Sequence, residues 1–365
     1  MNARRLVVIG ASAGGLDPLR TILSGIPDTF PAAIGIVLHT SPESPGLAPE
    51  ILDRVSRIPV TTAFDGQRLE AAHAYFAPVD RHLVVEPGHL RVIRGPREHR
   101  FRPAIDPLFR SAAQVFGSAA IGVLLSGNLD DGTAGLGAIS RLGGTAVVQE
   151  PGDAAFPSMV TTAIERLNVD YVLPASGVAD LLARLTAEPE KGGPTDVPAQ
   201  IGIEVDIAKE ENPRVAGLEK IGKPSPFACP DCSGVLLEIT EGGRIRFRCH
   251  TGHACSAESL LAAMNDGVEG AMMAAVRALE EAALLMRSVG AQLHQHEHID
   301  TSRRMFDAAD RARTRPNAFA SCCSSTSRCT TAATAQRAAR CGDRRVQVAA
   351  LLQSSRRSEE GWQWV

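Results

Sequence analysis

Leu6-Val7-Val8-Ile9-Gly10-Ala11-Ser12-Ala13-Gly14-Gly15 runs four apolar residues straight into a turn built of small ones. A strand that ends this way and passes into a helix leaves the serine hydroxyl exposed at the carboxyl edge of a sheet, because glycine permits both the tight turn and close backbone approach. Ser12 therefore stands where a nucleophile would stand. Two further residues occupy the equivalent place. His39 closes the apolar run Ala33-Ile34-Gly35-Ile36-Val37-Leu38, and Asp131 follows Ile121-Gly122-Val123-Leu124-Leu125 through the turn Ser126-Gly127-Asn128-Leu129-Asp130-Asp131-Gly132.

Outward from these three stretches, apolar strand-like runs alternate with helical patterns up to about residue 187. Alternation with short glycine turns predicts an α/β fold, a doubly wound and mainly parallel sheet. The segment from Ala74 to Ile93 differs: short runs broken by Pro and Gly predict a small antiparallel ribbon at the sheet edge. In an open parallel sheet, catalytic groups collect outside the carboxyl ends of the strands, so three such ends can meet although they are distant in sequence. A serine, a histidine and an aspartate so placed are compatible with a hydrolytic triad, which is recognised by geometry and not by order.

Taken singly, each residue has a plainer reading. Ser12 in its glycine-rich turn partly imitates a dinucleotide loop, but the end of the second strand carries His39 where an acidic ribose ligand would be needed. His39 alone reads as a satisfied histidine, and Asp131 alone as a turn or helix-cap residue. Their joint placement makes the case.

Over roughly residues 4–187 the chain resembles the catalytic domain of the CheB family of protein-glutamate methylesterases. The resemblance rests on Ile9 to Gly15, on His39, on His73-Ala74-Tyr75-Phe76-Ala77-Pro78-Val79-Asp80-Arg81-His82-Leu83, on Phe101-Arg102-Pro103-Ala104-Ile105-Asp106-Pro107-Leu108-Phe109 and on Asp131-Gly132. It implies hydrolysis of a methyl ester on a glutamate side chain, giving glutamate and methanol, with glutamine deamidation in some members. It also implies roles: Ser12 as nucleophile, His39 as general base, Asp131 as the group that orients the imidazole, and the backbone amides at Ala13 and Asn128 as oxyanion donors. No catalytic cofactor is implied. The expected partner is a methylated chemoreceptor or related signalling protein, with a separate receiver or methyltransferase protein as a further candidate.

The chain departs from the commoner family pattern in places. Position 13 is alanine where threonine is usual, Thr40-Ser41 stands in place of Met-Pro, and Asn128-Leu129 in place of Met-Gly. These changes spare the three candidate catalytic residues and touch the expected substrate pocket. The sequence starts at the catalytic strand, so the expectation is a stand-alone catalytic domain without a receiver domain and without phosphorylation control inside this chain.

The 365 residues leave room for more than one domain, and an apolar fraction of 44% suffices for a core. A formal net charge of −3 gives no reason to expect nucleic acid as a partner. No stretch of about 18 apolar residues occurs, so membrane insertion is not expected, and Met1 to Arg5 leads into a strand rather than a signal peptide. The expected location is the cytoplasm.

Cysteine usage marks a boundary, since residues 1–228 contain none and all eight lie between Cys229 and Cys341. Residues 188–226, rich in Pro, Gly and charge, read as a linker. Residues 227–256 read as a zinc-ribbon-like module: Cys229-Pro230-Asp231-Cys232, a strand-like stretch, then Cys249-His250-Thr251-Gly252-His253. Two such ligand pairs complete tetrahedral zinc coordination. Cys229, Cys232, Cys249 and His253 are the preferred ligands, with His250 and Cys255 as substitutes. Four protein ligands leave no open position, so zinc here would be structural.

From 257 to 313 the apolar spacing is helical, with Ser256 as N-cap and Glu258 in the first turn. The stripe calls for a partner, either the segment Ile299 to Ala312 folding back or a second chain. Residues 314–365, rich in Ser, Thr, Ala, Arg and Cys, are expected to form a disordered tail. His73, His82, His99 and Arg102 read as structural or substrate-positioning, His294, His296 and His298 as a solvated cluster, and Arg337 to Arg345 as part of the tail. The function contrasting with the esterase is an inactive signalling adaptor that binds through the ribbon and helices.

Overall fold

A computed structural model describes residues 4–188, 196–209, 217–241 and 244–326. The central sheet has seven strands: β1 (Leu6–Ala11), β2 (Ala33–Leu38), β3 (Val60–Thr62), β4 (His73–Phe76), β7 (Ala120–Leu124), β8 (Thr145–Gln149) and β9 (Tyr171–Leu173). Their order is β3-β4-β2-β1-β7-β8-β9 and every pairing is parallel. A parallel sheet covered on both faces needs apolar side chains at successive positions, not alternate ones. β1, β2 and β7 meet that need, being buried along their whole length.

Two layers of helices supply the cover. One face of the sheet packs on α1 (Leu16–Gly25), α2 (Ala48–Asp53) and α6 (Ala175–Ala187), through Leu19, Ile22, Leu52, Val178 and Leu182. The other packs on α3 (Ile105–Phe116), α4 (Thr133–Arg141) and α5 (Ser158–Arg166), through Leu108, Phe109, Leu136 and Val160. Burying each such aliphatic side chain stabilises the fold by about 1.5–3 kcal/mol.

The expected antiparallel ribbon exists, but it is shorter than the sequence suggested. It comprises β5 (His82–Glu86) and β6 (His89–Ile93), whereas Tyr75 and Phe76 belong to β4 in the central sheet. Within the stretch 188–226, read as linker, α7 (Ala199–Lys209) packs Ile201 and Val205 into the catalytic core.

A second, four-stranded antiparallel sheet follows, ordered β10 (Lys223–Ala228), β11 (Val235–Glu241), β12 (Arg244–Cys249) and β13 (Ala254–Ser256). This ribbon is joined to the preceding fold by main-chain bonds from His99 N to Ala254 O (2.7 Å) and from Ala254 N to Arg97 O (3.1 Å). A buried ion network reinforces the junction. Glu98 accepts from Arg110 on α3 (2.9 Å) and from Arg248 on β12 (2.8 Å); Arg248 also pairs with Glu204 on α7. Burial opposes ionisation of Glu98, but the three guanidinium groups of Arg248, Arg110 and Arg246 hold its carboxyl well below the usual range.

At the end of β13, Ser256 Oγ accepts from Ser259 N (3.0 Å) and Ser259 Oγ accepts from Ser256 N (2.8 Å). This reciprocal cap satisfies two amides that the first turn of a helix leaves without partners. The helix so started is α8 (Ala257–Gln295), which a short turn joins to α9 (Ile299–Thr326). Beyond Met264 the two form a unit of their own, packing Ala283 against Ala309 and Ala312, with Ser302 Oγ donating to Gly290 O at 2.8 Å. α9 runs past residue 313 to Thr326; the remainder of the segment expected to be a disordered tail, including Arg337 to Arg345, lies outside the described residues.

Candidate active site

The strands β2, β1 and β7 are neighbours, and their carboxyl ends carry His39, Ser12 and the turn bearing Asp131. Chain direction across the sheet reverses at β1, where β2 lies on one side and β7 on the other, so a crevice opens there. Ser12 is pinned by its amide, which donates to Ser126 O at 2.9 Å, and His39 by its amide, which donates to Ala11 O at 3.0 Å.

The side chains form a chain. His39 Nδ1 lies 3.1 Å from Ser12 Oγ, and His39 Nε2 lies 2.8 Å from Asp131 Oδ2. An ionised carboxylate only accepts, so the ring proton belongs on Nε2 and the free lone pair on Nδ1 faces the serine hydroxyl. The side chains of His39 and Asp131 are each 2% exposed, while Ser12 is half-buried and open to solvent. Phe101 lies flat on the imidazole, ring centroids 3.9 Å apart and 9° from coplanar.

Asp131 is held from behind by main-chain donors. Its Oδ2 accepts from Ile105 N (2.8 Å), and its Oδ1 from Asp106 N (3.2 Å) and Gly132 N (2.8 Å). Ile105 and Asp106 open α3, so the carboxylate also sits at the positive end of that helix. Gly132 has φ +87°, and a β-carbon there would lie 2.7 Å from both Ile105 and Leu124. Only glycine fits the turn that delivers Asp131.

The amides of Ala13 and Asn128, which follow Ser12 and Gly127 in the two turns, find no acceptor among the described residues. Gly127 adjoins Ser12 so closely that a β-carbon there would lie 2.8 Å from Ser12 Cβ.

The other histidines divide by position. His73 pairs with Thr61 (2.9 Å) and stacks on Tyr75, and His82 bonds to Pro96 O (2.8 Å) and accepts from Ala104 N (3.2 Å). Arg102 is held by Asp80 (2.8 Å) and Gly95 O (2.8 Å). These are structural contacts. His99 is different, because it reaches Asp106 (3.3 Å) and comes within 3.9 Å of Asp131. The sequence places Phe101 and Asp106 in a family motif without assigning them roles and reads His99 as structural or substrate-positioning; its place behind Asp131 emerges only in the fold.

In the ribbon, Cys229, Cys232, Cys249 and His253 offer ligand atoms that all lie within 4.8 Å of one another. Cys232 Sγ is 3.6 Å from Cys249 Sγ, and His253 Nδ1 is 3.8 Å from Cys229 Sγ and 3.6 Å from Cys249 Sγ. His250 and Cys255 are not among them: His250 lies against Gly234 and Cys255 is buried in the ribbon's apolar cluster.

Residues 7–182 match the CheB methylesterase family. The chain is 38% identical over 180 residues to a Leptospira interrogans protein provisionally named a protein-glutamate methylesterase/protein-glutamine glutaminase, covering 49% of this chain and 93% of that one. The chain belongs to the CheB methylesterase family. Protein-glutamate methylesterase/protein-glutamine glutaminase 2 of Anaeromyxobacter dehalogenans is 40% identical over 182 residues, covering 50% of this chain and 53% of its own. The crystal structure of the Thermotoga maritima CheB methylesterase catalytic domain is 32% identical, with a TM-score of 0.49, and covers 50% of this chain and 98% of that one. The match to CheB stops near the end of the parallel sheet, and the ribbon and helices lie outside it.

Proposed function

We propose that this chain is a serine hydrolase that removes methyl esters from glutamate side chains, with Ser12, His39 and Asp131 as its catalytic residues. The observation that carries the reading is the unbroken Ser12–His39–Asp131 chain at 3.1 and 2.8 Å. A serine hydroxyl is a weak nucleophile near neutral pH and needs an adjacent base; a carboxylate behind that base fixes its tautomer and stabilises the imidazolium.

His39 Nδ1 takes the Ser12 proton as Oγ attacks the ester carbonyl carbon. The tetrahedral oxyanion is met by the amides of Ala13 and Asn128, each such donor contributing about 2.7–4 kcal/mol of transition-state stabilisation. His39 then returns the proton to the methoxy oxygen, methanol departs, and a glutamyl ester of Ser12 remains. Water, deprotonated by His39, hydrolyses that ester and frees Ser12. The same steps on a side-chain amide release ammonia, so glutamine deamidation lies within reach of the site.

Substrates are proposed to be methylated chemoreceptors or related signalling proteins in the cytoplasm, with a separate receiver or methyltransferase protein as a regulatory partner. In keeping with this, no helix among the described residues is long and apolar enough to cross a membrane.

Cys229, Cys232, Cys249 and His253 would hold a zinc ion. Tetrahedral coordination at the usual bond lengths separates sulfur ligands by about 3.8 Å and sulfur from nitrogen by about 3.6 Å, close to the separations observed. Four ligands fill the shell, so the ion would stabilise the ribbon and take no part in hydrolysis. The contrasting reading, an inactive adaptor, draws no support from the comparisons.

A fluorophosphonate probe tests the reading. The parent chain should become labelled at Ser12, and Ser12→Ala should not; equal labelling of the two would reject the proposed nucleophile.

A further inference from the structure

Every described histidine near the crevice is accounted for by the chemistry or by local packing except His99. It stands with φ +51° between the catalytic fold and the ribbon, and its side chain is 2% exposed. Its amide donates to Ala254 O of β13 at 2.7 Å. Its Nε2 faces two carboxylates, Asp106 Oδ2 at 3.3 Å and Asp131 Oδ1 at 3.9 Å; its Nδ1 lies 3.4 Å from Ser259 Oγ and 3.7 Å from Asp130 Oδ1. Ser256 Oγ donates to the same Asp130 oxygen at 2.7 Å. The cap and first turn of α8, through Ser256 and Ser259, therefore touch both the residue beside the triad carboxylate and the histidine behind it.

We infer that His99 is a positioning residue for the esterase reaction, and that the ribbon takes part in catalysis by holding His99 against Asp131. The inference rests on the triad reading above.

The electrostatics favour a cation at this place. Burial works against charge on His99, yet the Asp131 carboxylate, the hydrogen bond to Asp106 and the charges of Asp130 and Asp106 together push its pKa up to about 9. The other charges near it are Arg110 of α3, which bonds the same Asp106 oxygen at 2.8 Å, Arg166, which approaches Asp130 at 3.7 Å and pairs with Glu258, and Arg246 of β12, which lines the same small cavity. Asp106 keeps Arg110 as a partner, so without His99 the carboxylates deprived of their shared cation in the turn after β7 would be Asp130 and Asp131. A cation there holds Asp131 seated on the amides of Ile105, Asp106 and Gly132. Seated so, Oδ2 stays aimed at His39 Nε2. A small loss of that aim is costly, because misplacement of a catalytic group by about 1 Å lowers rates by up to about 100-fold.

The test measures the rate of Ser12 labelling by a fluorophosphonate in the full chain across pH 5.5 to 9.5, for the parent, Ser12→Ala, His99→Gln and Ser259→Ala. Removing the cation makes the site hold a proton more tightly, so the ascending limb of the His99→Gln profile should move up by about half a pH unit or more and its plateau should fall by about tenfold. Ser259→Ala should move the limb in the same direction. A purely structural role would lower the amount of folded protein and leave the limb in place. If either folded variant superimposes on the parent, the inference is overturned; if His99→Gln does not fold, Ser259→Ala decides alone. Labelling that survives in Ser12→Ala condemns the triad reading instead.

Discussion

The main-chain amide of Ile105 and the imidazole of His39 meet the same oxygen of Asp131, each at 2.8 Å. One donor comes from the start of a helix and the other from the end of a neighbouring strand. The carboxylate is thereby fixed by the fold before it acts on the histidine. Asp131→Asn is expected to be nearly isosteric and badly impaired. Its amide would set donors against the donors of Ile105, Asp106 and Gly132, or else deny His39 an acceptor. Turnover should fall on the order of 10⁴-fold, and the melting temperature should drop in step with about 1–3 kcal/mol lost to the opposed buried donors. Steady-state ester hydrolysis and a thermal melt check both halves.

Phe101 covers His39 face to face at 3.9 Å. Aromatic contact of this kind contributes about 0.5–1.5 kcal/mol beyond area burial and here also restricts the ring's rotation. Phe101→Ala should lower kcat about tenfold with KM near the parent value, while Phe101→Leu retains the cover and loses less. Equal kcat for all three proteins would show that the stacking does not orient the base.

Stability should depend on pH through His99. Its pKa is raised from 6.5 to about 9 in the folded protein. A base whose pKa is raised on folding gives its full stabilisation below the unfolded value, and that contribution is lost as the pH climbs through the folded one. The unfolding free energy should therefore fall between about pH 6.5 and pH 9, this one group contributing on the order of 3 kcal/mol. Urea midpoints compared for the parent and His99→Gln check it, since the variant should lose that slope. Parallel curves would contradict the assignment.

The ribbon should contain one zinc ion per chain. Cys249→Ser is expected to lose the metal and to lower the melting temperature, because the four ligands come together only in the folded chain and metal binding therefore contributes to folding free energy. Elemental analysis alongside circular dichroism measures both. Chelation should produce the same loss in the parent.

Much of the catalytic half was legible in the sequence because its strands are buried on both faces. Leu6 to Ile9, Ala33 to Leu38 and Ile121 to Leu125 read as continuous apolar runs for that reason, and residues at their ends could be placed at one sheet edge. The edge strands were harder. β3 is only Val60 to Thr62, and β4 carries His73 and Tyr75, so neither shows a long apolar run. α7 was hidden in a stretch read as linker because Glu204, polar and yet buried, interrupts its apolar pattern; Arg248 and Arg246 from the ribbon compensate it. The contacts of His99 with Asp131 and of Phe101 with His39 were hidden for a related reason. The importance of both residues lies in contacts made across the fold, Phe101 with His39 and His99 with Asp131 and Ser259, which no local periodicity reports.

The central claim is that Ser12 attacks a glutamyl methyl ester with His39 and Asp131 behind it. Its most direct test is methanol release from receptor fragments carrying isotopically labelled methyl esters, compared between the parent chain and Ser12→Ala. The account predicts release by the parent and a loss of at least about 1,000-fold in the variant. Release at equal rates from both proteins, or none from a folded parent while an active methylesterase demethylates the same fragments, would contradict it.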